Sequence, residues 1–456
     1  MSIIKVTFKE IVRKTGVDKA IAYSSGSRIV GGVAGVLSVF FISTFLTGVE
    51  QGFYFTFGSI LSMQVFFELG LTSIMIQYVA HEASHLKLVG SQYFGDNKYI
   101  SRLSSLIKFC VKWYSILALI VFLFLMAIGS FFFLRYNTEG NSVDWRLPWI
   151  LICIGTAVKL YQSPFYSIFM GLGKVKEMSK IGFYQQLIIP LSSWLGLICG
   201  LKLYVLGISY FLSVIIWQWY VNKLQLDRII INLLRIPISV RVSYMKEIFP
   251  YQWRIALSWV SGYFMFQLFN PVLFATEGPV VAGQMGMTLH ALNAILAFSY
   301  SWMHTKVPLY SSLIAQRSYQ QLDMVFNRTL KQELFVCFSL LVVFFAFLWI
   351  LQYFQLSLGG NVLFNRFLDF FPTLLMAVPV YLQQYINSWA TYLRCHKKEP
   401  YMVYSLVAGL TSCLSTFYLG RLYGLYGITI GYCGLSVLFF PWGYYIYVTK
   451  KRKWHG

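Results

Sequence analysis

The sequence predicts an all-α polytopic membrane protein with twelve transmembrane helices, and three observations lead there. The 456 residues are 57% hydrophobic and only 12% charged, with a mean hydropathy of +0.63, where soluble domains carry about 25% charge. Apolar windows of about 19 residues, the length that crosses a bilayer core, recur twelve times. They lie at 28–48, 53–79, 109–134, 147–169, 181–200, 203–221, 252–275, 280–305, 334–355, 371–393, 401–420 and 425–448. The basic residues also sort by side. Thirty of 37 Lys and Arg share the side of the N-terminus, Arg135, Arg146, Lys202, Arg366 and Arg421 take the other, and Lys112 and Lys159 lie within spans. That asymmetry fits the positive-inside rule with both termini cytoplasmic. The net charge of +21 is therefore a topology signal, spread between apolar runs, and no nucleic-acid partner is expected.

In order, residues 1–27 interleave Lys5, Lys9, Arg13, Lys14 and Lys19 with apolar positions, as a cytoplasmic amphipathic helix does, and carry no cleavable signal pattern. The first span opens at Arg28, and Ser27, Gly31 and Gly35 form a small-residue seam for a neighbouring helix. The second span, within Val49–Glu82, is expected to cross as one helix with Glu68 at its centre. The longest inner connection, 222–251, contains the helically periodic LDRIIINLLRI and separates six spans from six. This gives 28–221, a cytoplasmic linker 222–251, 252–448 and a basic tail 449–456. An even number per half makes any repeat a parallel one, and AVKLYQSPFY from Ala157 echoes AVPVYLQQYI from Ala377. The outer loops are too short for a catalytic domain.

The polar groups within spans are the candidate site. Glu68 either fixes helix packing or titrates, and it is the only deep carboxylate in the apolar windows. Lys159 sits too deep to reach the interface, so it either pairs with Glu68 or lines an aqueous cavity, with Pro164 placed to open the helix nearby. Arg28 and Arg254 open the first span of each half. They serve as topology charges or reach a central cavity. Gln267, Asn270 and Pro271 interrupt the seventh span: Pro271 is expected to kink it and Asn270 to satisfy the freed backbone. His290, Asn293 and His304 stud the eighth span and Gln383, Gln384 and Asn387 the tenth, as cross-helix amides or as a hydrated path. His290 and His304 are too far apart to chelate. The seven cysteines form no C-x-x-C pair, and no Walker loop, nucleophile motif or H-E-x-x-H is present. No cofactor and no enzymatic activity are expected, which leaves a carrier.

Several stretches together resemble the polysaccharide transporter, or O-antigen flippase, family. They are the turn with Glu50, Gly52 and Tyr54, the run Glu68-Leu69-Gly70-Leu71 ending at Gln77–Ala80, the inner turn FMGLGKVKEMSKIGFYQQ (Phe169–Gln186) and the exit VPLYSS (Val307–Ser312). That family shares a superfamily with multidrug and toxic compound extrusion carriers and lipid II flippases. The resemblance implies two six-helix lobes around a central cavity that opens alternately to each side of the bacterial inner membrane. The implied cargo is an undecaprenyl-diphosphate-linked oligosaccharide for O-antigen, capsule or exopolysaccharide assembly. Membrane lipids and polysaccharide polymerase and chain-length proteins are the implied partners, and Lys159, Arg28 and Arg254 the basic residues for the diphosphate. Twelve spans rather than fourteen sets the chain apart from lipid II flippases. The rivals are an ion-coupled small-molecule antiporter, which would want acidic cavity groups, and a polysaccharide polymerase or ligase, which would need a catalytic outer loop.

Overall fold

A computed structural model describes residues 19–137, 143–358, 361–396 and 398–455. Hydrocarbon offers the backbone no partners, so a chain this apolar closes its amide bonds within helices. α1 (Lys19–Phe45) and α2 (Gly48–Leu61) lead into a 3-10 turn, α3 (Val65–Glu68) and α4 (Leu71–Ala83). An antiparallel hairpin of β1 (Leu86–Val89) and β2 (Gln92–Gly95), in register Leu88 to Tyr93, precedes α5 (Asn97–Tyr136). Then come α6 (Arg146–Gly171), α7 (Val175–Ile198), α8 (Tyr204–Lys223) and the amphipathic α9 (Leu226–Arg235). A π-turn (Tyr244–Ile248) opens the second half: α10 (Phe249–Phe266), α11 (Phe269–Thr276), α12 (Pro279–Ala315) and α13 (Tyr319–Tyr353). A short hairpin of β3 (Ser357–Leu358) and β4 (Asn361–Val362) and a 3-10 turn (Leu363–Arg366) lead to α14 (Phe370–Arg394) and α15 (Met402–His455). α15 folds back on itself at Gly424, since the Tyr401 hydroxyl donates to the Gly443 carbonyl and Gly431 meets Ser415.

The chain is thus an all-α, multi-span fold. Each apolar window falls on helix, and α5, α7, α8, α12, α13 and α15 are long and apolar enough to cross a membrane. Two expectations are corrected. The second window is broken at Leu69 and Gly70. The seventh breaks at Gln267–Leu268, which places Pro271 in the first turn of α11, where its missing N–H costs nothing. The helix that carries the first window already begins by Lys19, and most of the 1–27 segment lies outside the described residues. The tail continues as the last turns of α15.

The elements of each half pack mainly among themselves, and the halves meet where α12 lies against α1 and α2. The loops richest in Lys and Arg define a basic end. At the opposite end, Gly48 and Gly52 of α2 face Gly283 of α12 with no side chain between them. A Cβ on Gly52 would sit 2.0 Å from the Pro279 carbonyl oxygen, and one on Gly283 would sit 2.8 Å from the Gly52 nitrogen. Small residues let membrane helices approach until their backbones touch, and dispersion rather than hydrophobicity holds them there. Gln51, 1% exposed, adds the polar tie: its Nε2 donates to the carbonyls of Gly283 (2.8 Å) and Arg366 (2.9 Å), both in the other half. Glu50 caps its own helix through Thr47 and meets Lys202 at 2.8 Å. Contacts between α1 and α12 reach inward as far as Gly35 on Ala294 and Gly32 on Phe298. Nearer the basic end, Gly31 and Gly26 pack instead on Gln186 and Phe183 of α7.

At the basic end the connection between α9 and α10 is strapped to the first half. Ser101 Oγ accepts from the N–H groups of Ser239 and Val240, Ser104 Oγ donates to Leu233 O (2.8 Å), and Lys108 Nζ donates to Ile236 O (2.7 Å). Arg102 bridges the buried Glu82 (3.0 Å) and Glu247 (2.7 Å), while the Tyr78 hydroxyl donates to the Glu247 carbonyl. Burial alone would raise the Glu247 carboxyl. The Arg102 hydrogen bond, the Ser243 N–H and the Arg102 charge outweigh it and hold the group below its ordinary value.

Two outcomes follow for the detergent-solubilised protein. Gly52→Ala should lower its thermal midpoint, at a cost of about 1–3 kcal/mol for overpacking against backbone that cannot yield; an unchanged midpoint would contradict the close approach. A carboxyl lowered on folding stabilises above its unfolded pKa, about 4.3 for Glu, and loses that contribution as pH falls through the lower folded value. The destabilisation by Arg102→Ala should therefore hold steady from neutral pH to about pH 5 and shrink below about pH 4. A difference that stays flat into acid would mean that Arg102 acts by packing alone.

Candidate functional site

Glu68 is the last residue of α3, and the two residues after it adopt left-handed backbone, Leu69 at φ 50° and Gly70 at φ 68°. Gly70 does this freely, while Leu69 is strained by roughly 1–2 kcal/mol. Strain of that kind gathers at functional sites, and here it separates α3 from α4 beside the carboxylate. Thr72, in the first turn of α4, reaches back across the break and donates from Oγ1 to Glu68 Oε1 at 2.8 Å.

The break opens a cavity of about 350 Å³ inside the first half, walled by α3, α4, α6, α7 and α8. Lys159, Gln162, Ser163 and Tyr166 of α6 line it at the i, i+3, i+4, i+7 spacing of one helix face, together with Glu68, Gln185 and Trp217. Glu68 and Lys159 therefore share one cavity, but no ion pair joins them among the described residues. Lys159 is exposed, and its ammonium stands 4.6 Å from the centre of the Tyr210 ring, a cation–π contact. Gln185 Nε2 donates to Ser213 Oγ (3.0 Å), and Gln162 Nε2 lies 3.4 Å from Val214 O, which leaves both amide oxygens as acceptors toward the cavity. α6 runs unbroken through Pro164, so the polar opening comes from the α3–α4 break and not from that proline.

The other candidates do not join this cavity. Asn270 Nδ2 bonds to Ser59 Oγ of α2 (3.2 Å), a tie between the halves rather than the expected repair of freed backbone, and Gln267 ends α10. His290 lies by Gly35 and Phe55 at the meeting of the halves, and Asn293 is exposed on α12. Gln383 donates to Asn387 Oδ1 (2.8 Å) and borders a crevice of about 30 Å³ between α10, α14 and α15, room for about two waters. Gln384 Nε2 donates to Leu296 O (3.0 Å). The side chains of Arg28 and Arg254 lie outside the described residues.

One buried acid escaped the sequence reading. Glu333 of α13 is 0% exposed, accepts from Ser388 Oγ at 2.8 Å and leaves Oε1 without a partner, so Glu68 is not the only deep carboxylate. Gln162, Ser163, Tyr166, Gln185 and Trp217 were also missed; the stripe in KLYQSPFY carries the helical spacing that marks the first three, and no local pattern marks Gln185 or Trp217.

A cavity cation without a carboxylate partner should be dispensable for stability. Lys159→Met is expected to leave the thermal midpoint within about 0.5 kcal/mol, the usual range for such positions. A loss of about 3–5 kcal/mol would instead reveal a buried ion pair with Glu68.

The sequence matches no family model and no curated protein. Solved structures do resemble the fold. A multidrug resistance MATE family transporter of the MOP superfamily, in an inward-facing conformation, aligns over 96% of both chains at 13% identity with a TM-score of 0.62. The lipid II flippase MurJ, in an inward closed conformation, aligns over 93% of this chain and 87% of its own at 12% identity with a TM-score of 0.57. A MOP superfamily transporter from Pyrococcus furiosus, described as having a binding pocket of reverse polarity, aligns over 96% and 98% at 14% identity with a TM-score of 0.54. The chain has the multi-span fold of MOP superfamily transporters.

Proposed function

We propose that this chain is a flippase that moves an undecaprenyl-diphosphate-linked oligosaccharide across the bacterial inner membrane, for O-antigen, capsule or exopolysaccharide assembly. The observation that carries the reading is Lys159, a cation held over an aromatic ring and not by a carboxylate. Its ammonium donors remain for an anion, and a lysine serves a phosphate as a point charge. Around it, the Gln162 and Gln185 amides suit sugar hydroxyls, and the Trp217 and Tyr166 rings suit a sugar's apolar face. One neighbour of the same fold is by name a lipid II flippase.

The cavity volume of about 350 Å³ is near the lower end of small-molecule sites, which run from about 300 to 1,000 Å³. It takes the phosphates and the first sugar, and the rest of the repeat unit extends between two moving bodies, 28–221 and 252–448. The isoprenoid tail stays in the bilayer, and the bodies rock about the site to alternate access. With both termini cytoplasmic, the end sealed by Gly52 and Gln51 is periplasmic, so this conformation loads from the cytoplasm.

A multidrug-type antiporter is the second reading. It is favoured by Glu68 within the same cavity and by the MATE neighbours of this fold. Leaflet-resolved transport of a lipid-linked oligosaccharide in vesicles separates the two. Lys159→Ala combined with Arg254→Ala should slow transport about tenfold or more, since a hydrogen bond to a charged group contributes about 1.5–3 kcal/mol. Normal transport in that double variant would sink the flippase site. Export of a cationic dye that depends on Glu68 and ignores Lys159 would establish the antiporter.

A further inference from the structure

Where α14 ends, the start of α13 and the last turn of α15 meet in a cluster outside the cavity. His396 and His455 face each other with Nε2 to Nε2 at 3.0 Å, and His396 Nδ1 lies 3.2 Å from the Tyr392 carbonyl oxygen. A carbonyl only accepts, so His396 carries its proton on Nδ1 and presents a bare Nε2 lone pair, into which the His455 Nε2–H donates. The tautomers follow from the partners. The His455 ring is stacked on Tyr319 of α13 (4.1 Å, 14°), and Trp454 packs against His396 (5.1 Å).

We propose that the His396–His455 pair is a proton-operated catch, which fastens the end of α15 to α13 and α14 at neutral pH and lets it go on acidification. The first proton can settle on His455 Nδ1 and leave the shared bond intact. A proton on His396 Nε2 sets two N–H groups head to head and destroys it.

The charged surroundings resist that proton. α13 contributes Asp323 and Tyr319. Asp323 is already engaged by the Tyr392 hydroxyl (2.5 Å) and by Lys451 Nζ (2.8 Å), so its charge is largely spoken for. At the end of α14, Arg394 is paired with Glu399, and Lys398, beyond the helix, lies over the Trp454 ring (4.8 Å). α15 contributes Lys451. Burial first, and then Lys398, hold His396 below the ordinary imidazole value despite the Tyr392 carbonyl. Burial, His396 and Lys451 do the same to His455 against Asp323. For a base whose neutral form makes the contact, docking is complete above the unfolded value, about 6.5, and is lost as pH falls through the lower folded value.

The test is hydrogen–deuterium exchange of the backbone amides of 449–455 in the full-length protein in nanodiscs, corrected at each pH for the intrinsic chemical rate. Protection in the native protein should fall about 5- to 10-fold on acidification, the loss of roughly one net hydrogen bond. His396→Gln keeps a donor and an acceptor but cannot take the proton, and should hold its protection across the range. His455→Ala should lose protection at every pH while the amides of α5 stay unchanged, which controls for folding. Protection that is flat with pH in the native protein, or a fall that persists in His396→Gln, would overturn the proposal. Protection that rises with added zinc and is lost with a chelator at constant pH would overturn it in favour of a metal.

Discussion

Two helix backbones meeting without side chains between them set the terms for the rest of this fold. In lipid there is no hydrophobic force to drive one helix against another, so association depends on how many atoms come into contact and how well their polar groups are matched. Gly48, Gly52 and Gly283 supply the contact, and Gln51 supplies the match by donating to two carbonyls of the other half from one amide nitrogen. α7 accompanies α1 along its length, from Gly26 on Phe183 to Phe41 on Trp194, and α12 joins it at Gly32 and Gly35.

Against this junction, the polar groups in the membrane fall into two kinds. Some hold helices together through one atom and bury a second, unpartnered oxygen between the helices: Asn270 on Ser59, Gln384 on Leu296, Glu333 on Ser388. Others keep bonding capacity turned toward open space, and these are concentrated beside the α3–α4 break, where Lys159 rests on a ring and Glu68 accepts from Thr72. A group satisfied by its neighbours adds specificity to packing. Spare capacity is available to a ligand only where it opens on a cavity, as beside the α3–α4 break.

The all-α, multi-span architecture was legible because hydropathy and charge asymmetry act over whole segments. What was lost was local. Glu333 lies one residue before the window 334–355, and α13 starts fifteen residues earlier, so an apolar window clipped off its deepest acid. The break after Glu68 was written as a glycine in a span, which reads as tolerable until the neighbouring Leu69 is also found in left-handed backbone. Glu68 and Lys159 were each visible as anomalies, yet apart by ninety-one positions, and only three-dimensional packing brings them to one cavity without pairing them. The hairpin of β1 and β2 and the strap on Ser101, Ser104 and Ser105, whose Oγ accepts from the Val242 N–H, left no apolar pattern to find, although those serines stand at helical spacing.

The strap has a consequence for how the chain is made. Its partners on α4 and α5 emerge from the ribosome and enter the membrane well before residues 233–247 are synthesised, and domains generally fold as units with the N-terminal one first. The nascent linker therefore arrives at a finished docking surface, and α10 begins its insertion from a fixed point beside α5. The first half thereby acts as an assembly template for the second, setting where α10 enters the bilayer before any helix beyond it exists.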